Sequence, residues 1–249
     1  MSAEKPFTKE NLEHYLLELS KEFRKLNGRK MPAEIIIIGG GAVLLKYSFR
    51  SSTGDVDAIV RSSSVMQEAI NTVGEKYHLP NGWLNTDFKN TASYSPVLLE
   101  KSKHYKTFSN IMDIRVIDGE YLLAMKLMSG RGYKNDLSDI AGILFEHEKA
   151  GEPISLERIQ KAAVELYGSW EIIPEKSRDI IQELFKNGNY EEEYHANREE
   201  EIKRGAVLSE FKEKYPGSLR GQNIDGVIDS FKAKKESEAN LTPASPEQT

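Results

Sequence analysis

Apolar residues recur at helical spacing near the start of the chain. Leu12, Tyr15, Leu16, Leu19, Phe23 and Leu26 fall on one face, which predicts an amphipathic helix over residues 8–26. Thr8 is its candidate N-cap with Asn11 in the first turn; Asn27 and Gly28 stop it, and Pro32 leads into the next element. The pattern then changes. Ile35, Ile36, Ile37 and Ile38 form an uninterrupted β-branched run suited to a buried strand. Gly39, Gly40 and Gly41 turn the chain, and Ala42 to Leu45 fit a short helix packed on the sheet. Asp55 to Val60 alternates polar and apolar and reads as a second strand. Ser62, Ser63 and Ser64 can cap a helix running to about Tyr77, and Ser95–Glu100 and Lys106–Ile117 read as further strands. A helix begins at Asp118 and Glu120 and carries Leu122, Leu123, Met125 and Met128; Gly130, Arg131 and Gly132 interrupt it before a second helix from about Asp136 to His147.

From Gly151 onward the periodicity is wholly helical, with Ser155 and Pro174 at helix starts. The acidic run over 190–204 reads as a solvated helix. This pattern divides the chain into an α/β domain over 1–150, a helical region over 151–232 and a polar tail over 233–249, which is expected to be disordered.

Chemistry concentrates between Ile35 and Val60. Successive strand residues face opposite ways, so Asp55 and Asp57 emerge on one side and Val56, Ala58 and Val60 on the other. Two carboxylates so placed repel unless a cation lies between them, and magnesium suits the pair because it takes the rest of its shell from water and phosphate. The glycines let backbone N–H groups approach a phosphate at the start of the following helix. Alternation in the later strand puts Met112, Ile114 and Val116 on the core side and Asp113 and Arg115 on the face that could adjoin Asp55 and Asp57. Lys126 is the one lysine on an apolar helix; it either holds a phosphate or snorkels to solvent. Trp83 either stacks on a nucleobase or anchors a loop to the core.

At these residues the sequence resembles the nucleotidyltransferase superfamily, whose motif is an apolar strand, a Gly-Gly or Gly-Ser turn, a short helix and then Asp-x-Asp. It is most similar to the minimal, AbiEii-like bacterial branch, whose pattern reads here as Gly39, Gly40, Ala42, Arg50, Thr53, Asp55 and Asp57. The segment HLPNGWLN and the block LLAMKLMSGRGYKNDLSDI extend the likeness to roughly residues 33–145. The resemblance implies an α/β (α+β) nucleotidyltransferase fold, a mixed sheet flanked by helices, followed by a helical C-terminal region. It also implies transfer of a nucleoside monophosphate from an NTP to a hydroxyl acceptor with Mg2+ or Mn2+. Asp55, Asp57 and Asp113 would hold the metal, while Gly39, Gly40, Arg50, Thr53 and Lys126 would contact the nucleotide. An RNA (notably tRNA), a protein or a small molecule would be the acceptor, and the toxin-like branch adds a cognate antitoxin as partner. The alternative is a non-catalytic module that keeps this fold and acts with a partner protein.

Composition narrows the remaining chemistry. With no cysteine, and with five histidines that show no paired spacing, disulfides, thiolate nucleophiles and cysteine-ligated zinc are excluded. A net charge of −5 argues against indiscriminate coating of nucleic acid, although Lys101, Lys103, His104 and Lys106 form a basic cluster that is either a phosphate-facing patch or a solvated face. No apolar run spans a bilayer and no signal-peptide pattern opens the chain; a cytoplasmic protein without membrane association is expected.

Overall fold

The computed structural model describes residues 6–28, 31–130 and 136–215, together with 224, 226–227, 229–231 and 233. Arg131 and nearly all of the 233–249 tail therefore lie outside the described residues.

Helix α1 (Lys9–Asn27) starts where Thr8 accepts from the Asn11 N–H and Asn11 reciprocates on the Thr8 N–H, and it ends at Gly28, whose φ is +65°. Strand β1 (Ala33–Ile37) follows. Ile35 to Ile38 are all fully buried, so both faces of this strand are covered, as an unbroken apolar run requires. Next come α2 (Gly39–Lys46), β2 (Val56–Arg61), α3 (Met66–Tyr77) and the short β3 (Leu84–Asn85). The expected serine cap of α3 is absent: Val65 occupies the N-cap position without a side-chain bond, and Ser63 donates instead to Asn27 at 2.9 Å.

Two expectations are corrected in the next stretch. Ser95–Glu100 is not a strand but a 3-10 turn over Pro96–Leu99, because Pro96 lacks a ladder N–H and the Ser95 hydroxyl accepts from Val97. Residues 106–117 are not one strand either: β4 (Ser102–Phe108) and β5 (Met112–Ile117) form a hairpin, turned at Ser109 and Asn110 with φ of 50° and 53°.

The five strands stand in the order β3-β2-β1-β5-β4. β1 runs antiparallel to β2 and parallel to β5, and β2 runs parallel to β3, which makes the mixed sheet flanked by helices that the resemblance implied. Helices α4 (Gly119–Ser129), α5 (Asp136–Lys149), α6 (Leu156–Tyr167), α7 (Glu175–Asn187) and α8 (Tyr190–Lys214) follow the sheet. The helical C-terminal region is not an isolated appendage: α6 packs on α4, and α8 lies along α5. Among the described residues no helix is long and apolar enough to cross a membrane.

Candidate nucleotide site

At the end of β1, Ile38 remains extended and Gly39 takes φ +56°, a left-handed conformation that glycine adopts at least cost. The three glycines prove to be the first turn of α2 rather than a loop before it. Their lack of side chains lets the Arg50–Asp57 segment close over that turn. A Cβ on Gly40 would sit 2.7 Å from Thr53 Oγ1 and 2.8 Å from Arg50 Nη2, and one on Gly39 would sit 3.4 Å from Asp57 Oδ2. Ile38 at the N-cap makes no side-chain bond to this turn, and the first-turn N–H groups of a helix suit an anion.

The Arg50–Asp57 segment is held from both sides. Phe7 and Thr53 exchange backbone hydrogen bonds of 2.8 and 2.9 Å, and the Thr53 hydroxyl donates to the Asp55 carbonyl at 3.1 Å. Asp55 lies one residue before β2 and is exposed, whereas Asp57, inside β2, is half-buried. Both line one cleft of about 570 Å³ with Gly39, Gly40, Arg50, Thr53 and Lys126. Asn85 donates to Asp57 Oδ1 at 3.0 Å and fixes that carboxylate.

Seven of the eight residues proposed from sequence thus meet in this cleft; Asp113 does not. β5 pairs with β1 so that Asp113 lies beside Glu34, while the Asp57 carbonyl accepts from Ile38. The two aspartates are therefore separated by four residues along β1, roughly 13 Å, and by two strand spacings. Alternation put Asp113 on the correct face, but the register puts it at the far end. There it accepts from Thr107 at 3.3 Å, sits 2.6 Å from His104 Nδ1 and lies 3.6 Å from Arg115. One pair beyond the Ile37–Val116 match, the β5 residue level with Asp57 is Ile117.

Lys126 is neither snorkelling nor a lone phosphate ligand. Its ammonium lies 2.7 Å from Asp136 and 2.6 Å from Asp139, with all three side chains buried. Arg50 bonds Asp139 as well, and its Nε donates to the Ser52 carbonyl at 3.0 Å. Burial lowers the Lys126 pKa, but Asp139 and Asp136 outweigh it and hold the group above its ordinary value. The ammonium donates to Asp136 and lies in ion-pair contact with Asp139. Trp83 takes the anchoring role: it is 2% exposed, donates to the Ile70 carbonyl at 3.1 Å and packs against Phe7 and Tyr15.

Sequence reasoning left Asn85, Asp87 and Phe88 unassigned, although all three line the cleft. Asn85 closes the quoted HLPNGWLN segment, and the two-residue β3 that seats it beside Asp57 is too short to show a period. Among the described lining residues, four aspartates (Asp55, Asp57, Asp87 and Asp136) face Arg50 and Lys126, and these two cations are matched with acids. Asp55 and Asp57 are the residues placed to hold a divalent cation at this cleft. The donors are hard oxygens, which fits magnesium completed by water and phosphate. The described residues contain no group of three or more His, Cys, Asp or Glu side chains that could hold a metal.

A glycine-turned helix start facing an Asp-x-Asp strand, on a mixed sheet covered by helices, defines a nucleotidyltransferase-type domain. Residues 14–178 match the model of the family described as "Nucleotidyltransferase of unknown function (DUF6036)". The chain belongs to that family. The match supports the likeness at superfamily level and does not single out the AbiEii-like branch. No curated protein and no solved structure matches the chain.

Proposed function

We propose that the protein is a magnesium-dependent enzyme that transfers a nucleoside monophosphate from an NTP to a hydroxyl acceptor and releases pyrophosphate. The observation that carries this reading is the meeting of Asp55, Asp57 and the Gly39–Gly40 turn in one cleft. The α2 amides receive phosphate oxygens, and Asp55 and Asp57 hold the cation, with Asn85 orienting Asp57. When bound, magnesium supplies charge neutralisation for the phosphates and lowers the pKa of the attacking hydroxyl. Lys126 adds its positive charge to the triphosphate while Asp136 and Asp139 hold it in place. Thr53 and Arg50 keep the Asp55 loop against α2.

The resemblance to the AbiEii-like branch extends the proposal to an RNA or protein hydroxyl as acceptor, with a cognate antitoxin as partner. Lys101, Lys103, His104 and Lys106 each meet a carboxylate, on Glu165, Asp118, Asp113 and Glu13 respectively, so this patch presents no uncompensated positive face to an RNA backbone.

A second reading, a non-catalytic module acting with a partner, draws on one observation: Ile117 stands level with Asp57 where a further carboxylate could serve. Incubation of purified protein with each labelled NTP, magnesium, and total cellular RNA or protein decides between them. Label transferred to an acceptor supports the enzyme; binding of an NTP without any transfer supports the module.

A further inference from the structure

Helix α8 lies outside the residues matched by the family, and among its described residues only Glu201 is buried. A glutamate is rarely buried without partners. Its partners are on α5: Oε1 accepts from the Ser138 N–H at 3.1 Å, and Oε2 accepts from the Ser138 hydroxyl. Ser138 is the third residue of α5, in the turn whose N–H groups have no intrahelical acceptor and which a carboxylate stabilises.

Asp136 and Asp139 flank Ser138, and they are the acids that hold Lys126 and Arg50 at the cleft. Two helical turns earlier on the same face of α8, the Tyr194 hydroxyl donates to the Phe49 carbonyl at 2.9 Å, and its ring stands edge-on to Phe49. Phe49 precedes Arg50 in sequence, and its ring lies where a Cβ on Gly142 of α5 would clash, at 2.7 Å. One face of α8 thus holds both segments that supply the charged network of the cleft.

We propose that Glu201 is a positioning residue of the nucleotide site: by holding the first turn of α5 through Ser138, it sets Asp136 and Asp139, and through them Lys126 and Arg50. α8 is then part of the catalytic unit. The kinetic consequence rests on the transferase reading above; the structural consequence does not.

The test uses the full chain as wild type, Glu201→Ala, Glu201→Gln, Ser138→Ala and the Ala double variant. All are assayed well below the lowest melting temperature. Glu201→Ala is expected to lower kcat by about 10- to 100-fold, the scale of a misplacement of about 1 Å, and to speed amide exchange over 136–140 without changing it in β1 or β2. Glu201→Gln, which can still accept from the Ser138 N–H, restores both, and Ser138→Ala adds nothing further to Glu201→Ala. Unchanged exchange over 136–140 in Glu201→Ala overturns the proposal, as does faster exchange with unchanged kcat per folded molecule. If the wild type transfers no nucleotide, the transferase reading fails, and the exchange measurement alone decides whether Glu201 holds this turn.

Discussion

Lys126 shows how a residue's role changes once its neighbours are known. On sequence grounds, Lys126→Ala would weaken nucleotide binding and spare the fold. With Lys126 8% exposed between Asp136 and Asp139, at 2% and 3%, removing the ammonium takes a cation from two buried acids. The variant is therefore expected to lose about 3–5 kcal/mol of stability, the usual consequence of breaking a buried ion pair. Urea denaturation reads it, and a wild-type midpoint would show that the network holds nothing together. Gly40 makes a complementary case. A methyl group there meets Thr53 and Arg50 side chains at under 3 Å, so Gly40→Ala should displace the Arg50–Asp55 loop and cost transfer far more than stability. Transfer at the wild-type rate would show that the close approach does not matter to the chemistry.

At the scale of elements, legibility followed the range of the interactions. α1 could be read from its period and from Thr8 and Asn11, because cap, face and stop are all local. The inward face of β5 was equally plain: Met112, Ile114 and Val116 are buried as alternation requires. Which end of β1 Asp113 would reach depends on parallel register, set by residues far away in sequence, and no local pattern encodes it. Glu201 was illegible for the same reason, since an acidic helix reads as solvated until its partner at Ser138 is in view. The clamp between α1 and α3 adds a pH prediction. Glu18 bonds Lys21, Lys76 and Tyr77, which hold its pKa down at about 2 against an ordinary 4.5. A carboxylate depressed in this way stabilises the fold above its unfolded pKa, and that contribution is lost as pH falls from about 4.5 through about 2. Glu18→Gln should therefore flatten the fall of melting temperature across that window. An unchanged slope would mean the clamp contributes no pH-dependent stability.

For the molecule as a whole, the family match ends at residue 178, while α8 beyond it holds the segments flanking the cleft through Tyr194 on Phe49 and Glu201 on Ser138. Electrostatics governs what enters that cleft. Because its acids outnumber its cations among the described lining residues, magnesium and an NTP together should raise the melting temperature more than either does alone. No joint shift at millimolar concentrations would count against the site. The central claim is that Asp57 holds the cation for chemistry rather than the scaffold for stability. Asp57→Asn nearly preserves volume and keeps an oxygen for the Asn85 donor, so any loss of stability should stay on the order of 1 kcal/mol. The decisive measurement pairs melting temperature without metal with labelled-nucleotide transfer in magnesium, for wild type and Asp57→Asn. The account predicts a variant that melts close to wild type and transfers no nucleotide. A well-folded variant that still transfers nucleotide would contradict it.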